Sequence, residues 1–140
     1  MAGSVLGKSA KFGIGATPNY LLGIRSIEWD PGDVNLVATD IIDEDPPTFY
    51  PADRENATIT ITLEKNKADT NGQVALATAF AGKTSLLFTL APEGSTAGNQ
   101  KITGSVYVKS PGKESYDKKT LVTKNIVLMV SGAYTDGVFP

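Results

Sequence analysis

Residues 57–64 read ATITITLE, and no other stretch restricts the fold as much. Ile59, Ile61 and Leu63 fall on one side of an extended chain, and Thr58, Thr60 and Thr62 on the other. A period of two is what a strand buried on one face requires. The chain on either side carries the same kind of signal. Phe12 to Gly15 is a short candidate strand. Tyr20 to Trp29 is a longer one, with Leu21, Ile27 and Trp29 on one side and Leu22 and Ile24 on the other. Asp30-Pro31-Gly32-Asp33 then reads as a turn, because proline presets φ at its second position and glycine accepts positive φ at its third. Val34 to Ile42 is the predicted return strand. The following DEDPPTFYPADREN reads as a long loop, since its three prolines offer no amide proton to a ladder.

The second half adds Ser85 to Leu90, then a Gly, Ser and Asn-rich link from Pro92 to Asn99. Next comes a strand in which Ile102, Gly104, Val106 and Val108 alternate with Thr103, Ser105, Tyr107 and Lys109. Ser110-Pro111-Gly112-Lys113 turns this strand into a partner, Leu121 to Ser131, whose IVLMV portion is expected to be covered on both faces. The tail from Gly132 to Pro140 reads as turn-like. One helix is expected, over about residues 70–81, with Asp69 or Thr70 able to cap it and Gly82 able to end it. On a helical wheel Val74, Leu76, Ala77, Phe80 and Ala81 share the arc expected to lie on a sheet. The opposite arc holds Ala75, Thr78 and Ala79, and no charge occurs from Thr70 to Gly82. Such a back is either plain alanine surface or covered by another subunit. The predicted class is mainly β: a β-sandwich or half-barrel of about six or seven strands with one flanking helix. Its edge strands carry few blunting lysines, so pairing between subunits is the expected cover.

Composition narrows the function. A chain of 140 residues fits one domain, here with an N-terminal arm over about residues 1–11, read as disordered or docked on a neighbour. There is no cysteine and no histidine, which removes disulfides, thiolate chemistry, zinc sites of the usual kind and the commonest general base. A net charge of -2 provides no basic field for gripping nucleic acid. No signal-peptide core is legible at the N-terminus, and no apolar run reaches the roughly 18 residues needed to span a bilayer. The expectation is a protein made in the cytoplasm, without membrane anchoring or cofactor.

Several motifs resolve to ordinary explanations. Ala77-Thr78-Ala79-Phe80-Ala81-Gly82-Lys83-Thr84 imitates a phosphate-binding loop, but that loop needs a strand before it and a helix after it. Here a helix precedes Gly82-Lys83 and would present its anion-repelling C-terminus. Seven acids and no Lys or Arg occupy residues 28–45, among them Asp40, Asp43, Glu44 and Asp45. The EF-hand glycine and terminal glutamate are missing, so the readings are solvated loop charge or an acidic surface lining a channel or facing a partner, ahead of a metal site. Lys109, Lys113, Lys118, Lys119 and Lys124 make the hairpin around Pro111 mildly basic, with Glu114 and Asp117 interspersed. It reads as an exposed tip, or as one that meets an acidic surface on a neighbouring subunit.

The order of these elements resembles the tail tube (major tail) proteins of long-tailed bacteriophages. The resemblance rests on the acidic loop ending in Phe49-Tyr50-Pro51, on ATITITL, DTNGQVALATAFAGKTSLLFTLAPEGS and ITGSVYVKSP, and on the closing KNIVLMVSGAY. Asp69, Gln73, Pro92, Gly94, Thr103, Gly104, Ser131 and Gly132 stand at its recurrent positions, whereas Pro51-Ala52 stands where Pro-Gly is common. The resemblance implies a β-sandwich with a flanking helix, built into hexameric rings that stack around a DNA conduit in the virion tail. Its partners would be other copies of itself, other tail proteins and, transiently, DNA. It places Asp40, Asp43, Glu44 and Asp45 in a loop facing the lumen or the next ring. The subunit interface candidates are Val5 and Leu6 in the arm and Ala75, Thr78 and Ala79 on the helix. The alternatives are a capsid-decorating or other structural virion protein, a tube protein of a phage-derived secretion or killing apparatus, and last an enzyme resting on carboxylates such as Asp43 and Glu44.

Overall fold

A computed structural model describes residues 10–38, 46, 48–66, 68–114, 116, 118–119 and 121–140. Ten strands and one helix are formed among them. They are β1 (Lys11–Ile14), β2 (Asn19–Tyr20), β3 (Ile24–Asp30), β4 (Val34–Ala38), β5 (Phe49–Arg54), β6 (Thr58–Glu64), α1 (Gln73–Gly82), β7 (Leu86–Ala91), β8 (Gln100–Ser110), β9 (Thr123–Val130) and β10 (Thr135–Val138). The main sheet is antiparallel in the order β2-β1-β7-β8-β9-β6-β3, with β10 added to β8. β6 keeps the alternation read from its sequence: Ile59, Ile61 and Leu63 are buried and Thr58, Thr60, Thr62 and Glu64 half-exposed. It sits between β3 and β9, with Ile61 opposite both Ile27 and Ile126.

The sheet folds over on itself without closing. Trp29 on end strand β3 reaches Phe88 on β7, ring centroids 6.5 Å apart, and Phe88 stacks on Phe12 of β1 at 6.0 Å. One core therefore joins both halves: Phe12, Ile59, Ile61, Leu63, Phe88, Val106, Leu128 and Val130 are among its fully buried members. This is the expected half-barrel with a flanking helix.

Four expectations are corrected. Tyr20 to Trp29 is two strands, because Gly23 takes a positive φ of 76° and sends the chain from β1 across to β6. The segment read as a proline-blocked loop contains β5, which pairs with β4 as a separate ribbon, Pro51 lying opposite Leu36. Proline is tolerated there because a two-stranded ribbon leaves one edge needing no donor. The tail is not merely turn-like. β9 leaves residues 100–103 of β8 uncovered on that side, and β10 fills the gap, from Thr135 opposite Thr103 to Val138 opposite Gln100. Finally, the IVLMV part of β9 is buried on one face only, with Val127 and Met129 half-exposed on the other.

The helix is also rotated relative to the wheel reading. Gln73, Leu76 and Ala79 are its buried residues, Ala75 packs partly against the core, and Val74, Ala77, Phe80 and Ala81 face outward. Ala79 is thus covered by its own chain, and Ala75 half so, which removes Ala79 from the surface available to a second subunit. Thr78 is exposed, its hydroxyl donating to the Val74 carbonyl at 3.0 Å. Apolarity is spread almost evenly around this helix, so a polar residue sets its rotation. Gln73 Nε2 donates to the carbonyls of Leu22 (2.8 Å) and Glu64 (2.9 Å), while Oε1 accepts from the Asn66 amide (2.9 Å). Asp69 Oδ2 accepts from the amides of Leu22 (3.0 Å) and Gln73 (3.2 Å), so Asp69 does tie down the first turn. A Cβ on Gly72 would lie 2.4 Å from that oxygen, which leaves room only for glycine. At the other end Lys83 adopts the left-handed conformation (φ 56°), and the amides of Lys83 and Thr84 bond back to Phe80 and Ala79. Gly82 is the last helical residue, and the phosphate-loop imitation is a helix stop followed by β7.

Candidate assembly surfaces

Among the described residues no group of three or more Asp or Glu could hold a metal ion. A cavity of about 630 Å³ forms the open mouth of the half-barrel, lined by Ile24, Ile27, Trp29, Leu90 and Ile102 with Ser26 and Gln100. The guanidinium at its rim, Arg25, is engaged by Glu64 Oε1 at 2.9 Å from Nε and 2.6 Å from Nη2.

Three surfaces offer room for contact. On the outer side of α1, Val74 and Phe80 are each 42% exposed, with Ala77 and Ala81 beside them. This chargeless face was legible in the sequence as an unusual helix side, but with its residues exchanged. A second surface is the ribbon β4–β5, exposed at every residue. A third is the outer face of the sheet over β3, β6 and β9. Its rows run Ser26–Thr62–Asn125, Glu28–Thr60–Val127 and Asp30–Thr58–Met129. The rows carry hydroxyls and two carboxylates but no cation. Glu28 and Asp30 belong to the acidic run, whereas Asp40, Asp43, Glu44 and Asp45 lie outside the described residues, as do Val5 and Leu6.

At the opposite end of these strands the lysine-bearing segment has an internal hub. Glu114 accepts from the Tyr116 hydroxyl at 2.6 Å and pairs with Lys65 (3.1 Å) and, more distantly, Lys124 (3.9 Å). The Tyr116 hydrogen bond, followed by that of Lys65, lowers the Glu114 pKa, and Glu114 in turn raises those of Tyr116 and Lys65. A depressed folded carboxylate pKa stabilises above the unfolded value, and the contribution disappears as pH falls through the folded one. Side-chain NMR titration should therefore find Glu114 titrating below the ordinary glutamate range and Tyr116 above the ordinary tyrosine range. The Glu114→Gln variant should return Tyr116 to its ordinary range.

No protein-family model and no curated protein sequence matches this chain. Solved structures do match its fold. A subunit in the tail of an empty gene transfer agent particle, determined with C6 symmetry, superposes with a TM-score of 0.77 at 12% identity, covering 96% of this chain and 100% of that one. The SPP1 tail tube subunit gives 0.73 at 14% identity over 96% and 80%. A chain of the sheath–tube complex of an extracellular contractile injection system gives 0.66 at 11% identity over 99% and 94%. The chain has the phage tail tube fold. Asp69 and Gln73, two positions on which the sequence resemblance rests, form the clasp that sets the helix of that fold on the sheet.

Proposed function

We propose that this chain is the repeating subunit of a tail tube, assembled into hexameric rings that stack around a conduit for DNA, with no catalytic role. The observation that carries the reading is the superposition of nearly the whole chain on subunits of tails and tubes. The surfaces support it. The outward helix face of Val74 and Phe80, with Thr78, is assigned to the lateral contact, and the arm bearing Val5 and Leu6 to a neighbouring subunit. The hydroxyl-rich sheet face, on which Arg25 is neutralised by Glu64, suits a lumen wall, since DNA in transit must not be held by phosphate contacts. Asp40, Asp43, Glu44 and Asp45 are assigned to the lumen or the next ring, where they extend the same negative character. The partners are further copies and other tail proteins, and the location is the virion tail after synthesis in the host cytoplasm. The likeness to an injection-system chain favours one second reading, the tube of a phage-derived injection apparatus.

Negative-stain microscopy of the purified protein tests this, with hollow filaments and six-lobed end views as the expected result. Val74→Glu and Phe80→Glu should leave stability within about 0.5 kcal/mol, as exposed substitutions usually do, yet abolish filaments. A wild-type protein that stays monomeric at millimolar concentration would sink the proposal.

A further inference from the structure

The ribbon β4–β5 sets a problem that the rest of the fold does not solve. Its apolar side chains are open to solvent: Leu36 is 61% exposed, Val37 55%, Phe49 54% and Tyr50 59%. A two-stranded ribbon in water is marginal without something packed on it, and a patch of this kind marks a contact surface. Charge identifies the partner. At the ribbon's root the exposed acids Asp30, Asp33, Asp53 and Glu55 outnumber the single cation Arg54.

The register of the main sheet fixes what lies at the far end of the molecule. Asp30 and Met129 flank Thr58 at the ribbon end of β6, and Thr123 faces Glu64 at the other. That other end carries the exposed Lys113 and Lys118, and Glu114 does not offset them because it is held by Lys65 and Lys124. It also carries exposed apolar groups, Tyr116 at 74% and Leu121 at 68%. The two ends are thus complementary in charge and each has apolar surface to bury, while neither is complementary to itself.

We infer that the ribbon end of one copy seats against the lysine end of the next, with Leu36 and Phe49, which the register puts on one face of the ribbon, meeting Tyr116 and Leu121 inside a frame of Asp–Lys pairs. Such a contact is heterologous and runs along the strand direction, so it does not close and it repeats. Resting on the tube reading, it assigns this surface to ring-on-ring stacking.

Two charge-reversed proteins test it, Lys113→Glu/Lys118→Glu and Asp33→Lys/Asp53→Lys, all four sites being exposed. Each alone should show about a tenfold or larger drop in sedimenting assembly relative to wild type, because like charges then face each other. An equimolar mixture should recover assembly, since every junction pairs opposite charges again. If either variant assembles like wild type, or the mixture stays dissociated, the inference is overturned. If the mixture associates but microscopy shows solid fibres in place of hollow tubes, the end-to-end contact stands and the tube reading fails.

Discussion

Gln73→Ala is expected to cost about 2–4 kcal/mol of stability, because it leaves the carbonyls of Leu22 and Glu64 and the amide of Asn66 without their partner beneath a helix. No other side chain described here ties three backbone groups from separate segments: the turn before β3, the end of β6 and the link into α1. The accompanying fall in Tm should be roughly 10 °C for a chain of this size. Gln73→Met separates hydrogen bonding from packing, since it keeps the side-chain volume. It should lose nearly as much as alanine. Thermal unfolding followed by circular dichroism decides the matter, and a methionine variant within about 0.5 kcal/mol of wild type would show that packing of Leu76 alone seats the helix.

Phe88→Ala should cost more, about 3–5 kcal/mol, the range for emptying a buried aromatic site. Phe88 is 1% exposed and is the joint at which the sheet folds over, stacked on Phe12 from β1 and touched by Trp29 from β3, with Gly104 as its floor. Removing the ring uncouples the two ends of the sheet. Trp29 is the only tryptophan, so intrinsic fluorescence reports the change directly. Emission should move to longer wavelength as Trp29 loses that neighbour, although its edge contact with Tyr134 at 4.9 Å remains. An unshifted spectrum with Tm within a few degrees of wild type would mean that the fold-over does not depend on this joint.

The reading from sequence succeeded where one physical signal dominated. Alternation in residues 58–64 fixes both β6 and its buried face, β8 pairs with β9 as the break after Ser110 requires, and helix-before-lysine order disposes of the phosphate-loop imitation, whereas Asp30-Pro31-Gly32-Asp33 does not return the chain, since β3 pairs with β6 and β4 with β5. It failed where the deciding term was remote. The rotation of α1 depends on the carbonyls of Leu22, distant in sequence, and of Glu64 at the end of β6, so a wheel that weighs apolarity alone puts Val74, Ala77, Phe80 and Ala81 inside and Ala79 outside, while Leu76 and Thr78 lie where it puts them. β10 exists because β8 is longer than its neighbour β9, a fact about two other strands. β5 exists because its proline found an edge. Of the candidate assembly surface, the absence of charge on the helix is legible in the sequence, but which residues it exposes is not.

The strand order has a consequence for how the chain acquires its structure during synthesis. β6 can pair with β3 as soon as it emerges, but its other neighbour, β9, lies about 60 residues later. At ribosomal rates of roughly 5–20 residues per second, the Thr-Ile edge of β6 stays open for several seconds. A short, uncharged, β-branched segment with an unpaired edge is the kind that recruits identical strands from other chains. That interval is when self-association of nascent chains is most dangerous, and the arrival of β9 ends it.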